Sequence, residues 1–196
     1  NSRTCRPFIM NPRPASTDTA EIAGFDAEKT IISRRTIDKT LLQLNDKGYL
    51  NGHTPFSTML GFTTVLVAYL NGIRDIAISN ESSANEPTIP GTNINHQYSK
   101  SFEFENDFRN YVNQFITPDI HYYSYLRPLN ELQIGGLFSQ YRDHFRSFRS
   151  CNAGSKDNTW CAKCSKCLFT FIILSPFIDH DELVSVFGAD LFEDEE

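Results

Sequence analysis

The feature that most constrains the fold is a group of four cysteines between residues 151 and 167. Cys161, Cys164 and Cys167 follow a C-x-x-C-x-x-C spacing, and Cys151 lies on a loop upstream of them. A tight turn and the helix after it bring sulfurs at this spacing to one point, which suits a tetrahedral zinc ion. The sequence therefore predicts a closed, structural Zn²⁺ site, which by itself does not indicate a reaction.

Two other interpretations of the cysteines stay open. Free or paired thiols could cluster without a metal, and C-x-x-C-x-x-C runs also hold iron–sulfur clusters. A ferredoxin-type run continues to a fourth cysteine followed by proline, whereas Cys167 runs directly into the apolar segment LFTFIIL. Cys5 is left over and is interpreted as an unpaired thiol. A metal-binding pattern favours a reducing, cytoplasmic compartment.

Composition narrows the classes of function. The length of 196 residues suits one domain. Hydrophobic residues make up 40% of the chain and charged residues 21%. A net charge of -6 argues against a general nucleic-acid binder, which needs clustered Lys and Arg. The longest apolar run, residues 167–174, is too short to cross a bilayer, and the start has no signal-peptide pattern. We therefore expect neither nucleic acid nor membrane insertion.

Helical and strand-like patterns alternate along the chain. Short strands are predicted at 30–33, 75–78 and 121–126, and the second of these is expected in a parallel sheet, buried on both faces. A helix that Thr54 caps and Pro55 begins is apolar almost all round, so we expect it to be buried. This alternation predicts a three-layer α/β fold with a parallel sheet, to which the four-cysteine zinc segment is added.

Two further helices carry specific expectations. Ser101 is the predicted cap of a helix whose apolar face consists of Phe104, Phe108, Tyr111 and Phe115. Pro128 is expected to open the next helix, in which Gly135 and Gly136 indicate close packing in preference to phosphate binding.

The chain is expected to divide into three parts. Residues 1–30 form an irregular stretch, residues 31–150 an α/β ligand-binding core, and residues 151–196 the zinc segment with closing helices. The first residue is not Met, and the opening stretch contains prolines that cannot propagate a helix. We therefore expect residues 1–30 to follow a missing upstream region.

The first cluster of candidate ligand-binding residues precedes the predicted buried helix. It consists of Asn51, Gly52, His53 and Thr54. Free N–H groups at a helix N-terminus attract phosphate or carboxylate, and a histidine there could add a charge or a proton. The alternative is an ordinary turn followed by a cap.

The second cluster leaves the carboxyl end of the strand at 75–78, where open α/β sheets bind ligands. Its candidate ligand-binding residues are Ser79, Asn80, Ser83 and Asn85. Glu81 or Glu86 could bind Mg²⁺ through carboxylate oxygens. The alternative is a solvated loop.

The third cluster contains His96, Gln97, Tyr98 and Lys100. A histidine, a tyrosine and a lysine within five residues supply groups for acid–base chemistry, although each is more often a surface residue. The spacing of the three clusters does not select a reaction, and the chain has no phosphate-binding glycine loop with a lysine.

Several longer motifs resemble a known family when they are taken together. They are LNGHTPFS, IAISNESSANE, NINHQYSKSFEFE, YLRPLNELQI, FRSCN and WCAKCSKCLFTFI, in that order. This series resembles the bacterial UDP-N-acetylmuramoyl-L-alanyl-L-glutamate epimerases of peptidoglycan synthesis, from about residue 37 to the acidic tail. More distantly, the chain is similar to 7-cyano-7-deazaguanine synthase, an ATP pyrophosphatase with a four-cysteine zinc site.

The resemblance implies an adenine-nucleotide α-hydrolase-like fold and an enzyme that uses ATP and Mg²⁺. Such an enzyme adenylates the α-carboxylate of the terminal L-Glu in UDP-MurNAc-L-Ala-L-Glu. The α-proton of an acyl adenylate is more acidic than that of a carboxylate, so a base can remove it. Reprotonation on the other face gives D-Glu, and hydrolysis releases AMP. The candidates for proton transfer are His53, His96 and Lys100, with Glu81 as an alternative.

The chain departs from this family's relatives in one respect. ATP pyrophosphatases carry an S-G-G-x-D-S loop, and this sequence does not occur between Asn1 and Glu196. We expect the chain to be a C-terminal fragment that lacks the ATP loop and has no epimerase activity alone. Two alternatives remain: a related ATP pyrophosphatase-type enzyme for deazaguanine synthesis or RNA modification, or a non-enzymatic zinc-ribbon interaction module.

Overall fold

A computed structural model provides the structure of the chain. It describes residues 5–50, 55–151, 153–154 and 157–193. The chain forms two compact units. Unit 1 comprises residues 1–42 and 135–196, and unit 2 comprises residues 43–134. The functional boundaries expected after residues 30 and 150 stay a prediction.

The described residues form a mixed α/β structure. Its elements, in chain order, are β1 (Phe8–Met10), α1 (Pro14–Ile22), β2 (Ile31–Ser33), α2 (Lys39–Asp46), α3 (Phe56–Leu70), β3 (Asp75–Ile78), α4 (Phe102–Phe115), β4 (His121–Ser124), α5 (Glu131–Phe138), α6 (Ser165–Leu174) and α7 (His180–Phe187). Short 3-10 turns lie at Ser82–Asn85, Tyr98–Lys100 and Arg142–His144. Within the described ranges, no helix has the length and apolar character needed to cross a bilayer.

The N-terminal part of unit 1 is more regular than its sequence indicates. Strand β1 pairs in parallel with β2, from Phe8 opposite Ile31 to Met10 opposite Ser33. This pairing confirms the strand predicted at 30–33, but the expectation that residues 1–30 are irregular is wrong. Pro14 occupies the first turn of α1, where a missing N–H costs no helical hydrogen bond.

The C-terminal part of unit 1 has an aromatic core. Helix α6 presents Cys167, Phe171 and Leu174 to it, at the helical spacing that places them on one face. The ring of Phe171 lies 5.3 Å from that of Phe187 on α7 and 5.0 Å from that of Phe192. The same core therefore supports both closing helices and the cysteine-bearing turn of α6.

The two glycines of α5 lie against α6 and the segment after it. A Cβ atom on Gly135 would lie 2.8 Å from Cγ2 of Ile173, and one on Gly136 would lie 3.1 Å from the ring of Phe177. Both distances are shorter than ordinary van der Waals contact. The interpretation of this pair as a close-packing site is confirmed. The helix begins at Glu131, three residues after the expected start at Pro128.

We predict that Gly135→Ala lowers the free energy of unfolding by about 1–3 kcal/mol, because the new methyl group overpacks the contact with Ile173. In an uncrowded helix the same change stabilises a protein by about 0.5–1 kcal/mol, so the sign of the effect is informative. Urea unfolding measures it. The double variant Gly135→Ala/Ile173→Ala removes the obstructing side chain, so it should lose less free energy of unfolding than the two single variants lose together. A loss equal to the sum of the two single losses would contradict the steric explanation.

Unit 2 is built on the parallel pair β3 and β4, in register from Asp75 opposite His121 to Ile78 opposite Ser124. The predicted strands and their parallel direction are confirmed. The prediction that β3 is buried on both faces is wrong, because Ile76 is buried while Asp75 and Ala77 are exposed. Neighbouring side chains of a strand point to opposite faces, and only the face of Ile76 is covered among the described residues.

Helix α3 is buried on one side only, which corrects the expectation that it is buried all round. Its buried positions are Gly61, Thr64, Val65 and Ala68. A Cβ atom on Gly61 would lie 3.1 Å from the Phe108 ring, so small side chains allow α4 to approach closely. Leu66, Tyr69 and Leu70 are exposed. Pro55 precedes the first helical residue, and Thr54 lies outside the described residues.

Helix α4 begins as predicted, because Ser101 Oγ accepts a hydrogen bond from the Phe104 N–H at 3.1 Å. Its predicted apolar face is partly wrong: Tyr111 and Phe115 are exposed. The buried positions are Glu105, Phe108 and Val112. The physical reason is that Glu105 has an ionic partner inside unit 2, so a charged residue occupies the buried stripe.

The two sheets each contain two strands in the described ranges. The structure thus shows a mixed α/β chain with small parallel sheets. The three-layer arrangement stays a prediction.

Candidate functional site

The four predicted zinc ligands converge in unit 1. Their Sγ atoms all lie within 4.8 Å of one another. Three of the separations are 3.8 Å for Cys151–Cys164, 3.7 Å for Cys161–Cys167 and 3.4 Å for Cys164–Cys167. Tetrahedral Zn–S bonds of about 2.3 Å place the sulfurs about 3.8 Å apart. The donor set therefore fits one zinc ion whose four ligands are all cysteines.

The geometry also bears on the two alternatives for these cysteines. All five cysteines are free thiols, and Cys5 is exposed. An iron–sulfur cluster gives separate iron atoms to its cysteines, which holds the sulfurs farther apart than a single ion does. The observed separations thus favour one ion over a cluster. Zinc binding itself stays a prediction.

The backbone around the cysteines is shaped to bring them together. Cys151 Sγ accepts a hydrogen bond from the Gly154 N–H at 3.1 Å. Ala162 has a φ of 57°, which turns the chain between Cys161 and Cys164. Cys164 then takes the N-cap position of α6, and Cys167 follows in the first turn of the helix. A Cβ atom on Gly154 would lie 2.1 Å from the Thr159 carbonyl oxygen, so only glycine fits there.

The surroundings of the thiols favour partial ionisation. Burial opposes ionisation of Cys151, but hydrogen bonds from the Gly154 and Cys161 backbone outweigh it and lower the pKa of Cys151 to about 6. The backbone of Cys167 lowers the pKa of Cys164. Burial and the neighbouring sulfur of Cys164 raise the pKa of Cys167 to about 12. Four thiolates this close repel one another unless a cation lies between them.

A second candidate site lies in unit 2, where β3 and β4 end side by side. Asn80, just after β3, donates from Nδ2 to Ser124 Oγ at the end of β4, at 3.3 Å. Ser83 donates to the Glu131 carboxylate. The carboxyl ends of parallel strands are where α/β sheets bind ligands. The predicted cluster after β3 is thus placed at a suitable edge.

A buried ion pair lies at this edge. Arg127 Nη2 lies 3.1 Å from Glu105 Oε2, and the two side chains are 13% and 5% exposed. Arg127 also donates from Nη1 to the Glu81 carbonyl at 2.9 Å and from Nη2 to the Lys100 carbonyl at 2.7 Å. Ser124 Oγ donates to the same carboxylate oxygen of Glu105. One guanidinium therefore contacts several segments of unit 2.

Arg127, Glu105 and Ser124 are not among the residues predicted from the sequence to form a site. A signal for Glu105 was present, because it shares a helical face with Phe108 and Val112. A carboxylate on a buried face needs a partner, and the arginine in YLRPL is a suitable one.

The third predicted cluster forms local contacts in unit 2. His96 Nδ1 lies 2.5 Å from Thr88 Oγ1, and Lys100 Nζ donates to Gln97 Oε1 at 2.9 Å. Tyr98 donates its hydroxyl to Asp107 at 3.1 Å. Desolvation and this hydrogen bond to Asp107 raise the pKa of Tyr98.

A groove of about 970 Å³ lies beside these segments. Its lining residues are Asn85, Pro87, Thr92, Asn93, Asn95, Tyr98, Ser101, Phe102, Glu103, Asn106 and Arg127. Two of the predicted ligand-binding residues, Asn85 and Tyr98, line it, whereas His96, Lys100 and Glu81 do not. Among the described residues, amides, hydroxyls and aromatic rings dominate this lining, Glu103 adds a negative charge, and Arg127 is already paired with Glu105. The groove therefore suits an uncharged polar ligand better than a phosphate.

The first predicted cluster cannot be placed in this way. Asn51, Gly52, His53 and Thr54 lie outside the described residues.

Comparison with known proteins identifies the family. The MurL N-terminal domain matches residues 1–125, which is more than half of the chain, and the MurL C-terminal domain matches residues 146–196. The chain belongs to the MurL family. The resemblance inferred from the motifs of the sequence is therefore confirmed.

Curated relatives of this MurL-family chain share one name, UDP-N-acetyl-alpha-D-muramoyl-L-alanyl-L-glutamate epimerase. The relative from Xanthomonas oryzae is 39% identical over 168 residues, which cover 82% of this chain and 37% of the relative. The relatives from Salinispora tropica and a Micromonospora species are each 36% identical to this chain. Each of these two matches covers 96% of this chain, and they cover 42% and 43% of the respective relatives. The chain thus spans about two fifths of their length. No solved structure matches it.

Proposed function

We propose that the protein is an ATP-dependent epimerase of peptidoglycan precursor synthesis, which converts the terminal L-Glu of UDP-MurNAc-L-Ala-L-Glu to D-Glu. The observation that carries this proposal is the match of both MurL domains, together with relatives that are named for this epimerisation. We further propose an adenine-nucleotide α-hydrolase-like fold, to which the parallel pair β3 and β4 would contribute.

The groove of unit 2 supports a role in holding the substrate. The proposed substrate has a diphosphate, an N-acetylated sugar and a peptide. The groove offers amide side chains such as Asn93 and Asn106, and the rings of Tyr98 and Phe102. Amides pair with the amide and hydroxyl groups of a sugar or peptide, whereas a diphosphate needs cations. We propose that the uncharged part of the substrate lies in this groove.

The proposed chemistry begins with activation of the carboxylate. ATP transfers AMP to the α-carboxylate of L-Glu and releases pyrophosphate. Glu86, or Glu81 if it takes no part in proton transfer, would hold Mg²⁺, which would neutralise charge on the phosphates. Activation makes the α-proton more acidic, so that a base removes it and an acid returns a proton to the opposite face. Water then cleaves the acyl–phosphate bond and releases AMP and UDP-MurNAc-L-Ala-D-Glu. His53, His96 and Lys100 are the proposed proton-transfer residues, and Glu81 is the alternative to them.

We propose a structural role for the zinc ion in unit 1. Cys151, Cys161, Cys164 and Cys167 would all bind it, and four protein ligands leave no position for substrate or water.

Solvent exchange tests the proton-transfer step. In D₂O, the protein expressed from its complete gene is expected to incorporate deuterium at the glutamate α-carbon only when ATP and Mg²⁺ are present. Since a positioned acid or base contributes about 10²–10⁴-fold, His96→Ala or Lys100→Ala is expected to slow incorporation by at least 100-fold. Mass spectrometry of the recovered substrate measures the label.

Lys39→Ala is the matched control for Lys100→Ala, because Lys39 is exposed at the start of α2. It should leave the rate of exchange unchanged. Exchange at the normal rate in both His96→Ala and Lys100→Ala would remove these residues from the mechanism, and exchange without ATP would contradict activation by adenylation.

A further inference from the structure

We propose that Arg127 is a positioning residue that fixes the loops around the substrate groove, with Glu105 holding its guanidinium in place. This inference deepens the proposed function and rests on it for its kinetic part. Arg127 lines one side of the groove. Its other contacts lead to the segments that carry Glu81 and Lys100, two of the proposed proton-transfer residues.

The contacts of Arg127 join four different segments of unit 2. Its acceptors are the Glu81 carbonyl after β3, the Lys100 carbonyl at the end of a 3-10 turn, the Glu105 carboxylate on α4 and the Ser124 hydroxyl at the end of β4. The distances lie between 2.7 and 3.1 Å. Ser124 lies only three residues before Arg127, but the Glu81, Lys100 and Glu105 acceptors are 46, 27 and 22 residues away, so no local turn could make those three contacts.

The polar loop between β3 and α4 depends on such contacts for its shape. It runs from Ser79 to Ser101 and contains only the short 3-10 turns at Ser82–Asn85 and Tyr98–Lys100 as helical structure. Arg127 holds this loop near both ends, at Glu81 and at Lys100. A segment with little regular structure opens locally at low cost unless tertiary contacts restrain it.

Stability alone explains the ion pair poorly. Burying two charges costs desolvation, and well-packed apolar residues often replace a buried pair without loss of stability. An apolar pair could not, however, donate hydrogen bonds to the Glu81 and Lys100 carbonyls. The planar guanidinium supplies five donors in a fixed fork, whereas lysine supplies a compact charge with rotatable donors. The requirement for arginine is therefore geometric.

A comparison of single and double variants separates positioning from stability. Arg127→Met removes the 3.1 Å ion pair of the buried Glu105 and leaves its longer, 4.0 Å pair with the more exposed Arg109, so the melting temperature should fall. Arg127→Met/Glu105→Leu removes both charges and should regain most of the melting temperature. We expect the amides of residues 79–101 to exchange with solvent at least 10-fold faster than wild type in both variants, because both lack the donor to the two carbonyls.

Kinetics supply the second measurement, made on the protein expressed from its complete gene. Since displacement of reacting groups by about 1 Å can cost about 100-fold, kcat should fall by about 100-fold in the double variant, with KM changing less. Arg127→Lys keeps the charge but not the fork. It should retain more of the melting temperature than Arg127→Met, and its kcat should still fall at least 10-fold.

The control is Arg142→Met, which breaks another arginine–glutamate pair with an N–O distance of 3.1 Å. This pair joins the exposed Arg142 to the partly exposed Glu182 in unit 1. The control variant should leave exchange at residues 79–101 unchanged. Recovery of slow exchange together with the melting temperature in the double variant would overturn the proposal and make the pair merely structural. If wild type exchanges slowly but shows no epimerase turnover, the proposed function fails, while the exchange comparison still decides the role of Arg127.

Discussion

Replacing Cys167 with Ser is expected to abolish stoichiometric zinc binding and to unfold the core of unit 1. Cys167 is fully buried, and its sulfur lies 3.4 Å from that of Cys164 and 3.7 Å from that of Cys161. Structural zinc contributes an apparent binding free energy of about 10–16 kcal/mol in small zinc domains, so losing it exceeds the stability of most domains. Metal analysis by mass spectrometry and thermal unfolding measure the two effects.

Cys5→Ser is the matched control, because Cys5 is an exposed free thiol. It should keep about one zinc ion per chain and change the melting temperature by less than about 2 °C. A Cys167→Ser protein that retains a full equivalent of zinc would contradict the four-cysteine site. Iron with inorganic sulfide in the wild-type protein would instead support the iron–sulfur alternative.

Phe171→Ala is expected to lower the free energy of unfolding by about 3–5 kcal/mol, because it leaves a large cavity in the core of unit 1. The side chain has 0% exposure. Its ring packs edge-on against Phe187 and Phe192, and Cys167 lies one turn before it on α6. The change therefore removes the packing beside the metal site without touching a ligand. Denaturant unfolding of the zinc-loaded protein measures it.

Phe169→Ala makes the same chemical change on the same helix at a side chain that is 54% exposed. We expect its cost to stay below about 1 kcal/mol, since little apolar area returns to water. Equal costs for the two variants would contradict the orientation of α6 and, with it, the approach of Cys167 to the other sulfurs.

The parts of the fold that the sequence predicted are those set by local chemistry. The strands β2, β3 and β4 and the Ser101 cap each depend on a few neighbouring residues. The convergence of the four cysteines follows from a spacing that short turns can close. Local patterns of this kind are visible without knowing what lies across the molecule.

The errors arose where a distant residue decides the outcome. Glu105 is buried because Arg127, 22 residues later, pairs with it, and periodicity alone assigned that face to aromatic residues. Helix α3 is apolar on most sides, yet only the stripe of small residues that meets Phe108 is covered in the described part of the chain. The groove likewise combines Asn85 and Asn106 from separate segments, which no single motif reveals.

The measurement that tests the central claim most directly is a product analysis of UDP-MurNAc-L-Ala-L-Glu incubated with ATP, Mg²⁺ and the protein expressed from its complete gene. Chiral analysis of the glutamate and quantification of AMP give the two readouts. We expect D-Glu and AMP to form together, and neither to form without ATP. AMP without D-Glu would assign the protein to another substrate, and the absence of both products from a folded, zinc-loaded protein would contradict the proposed epimerase.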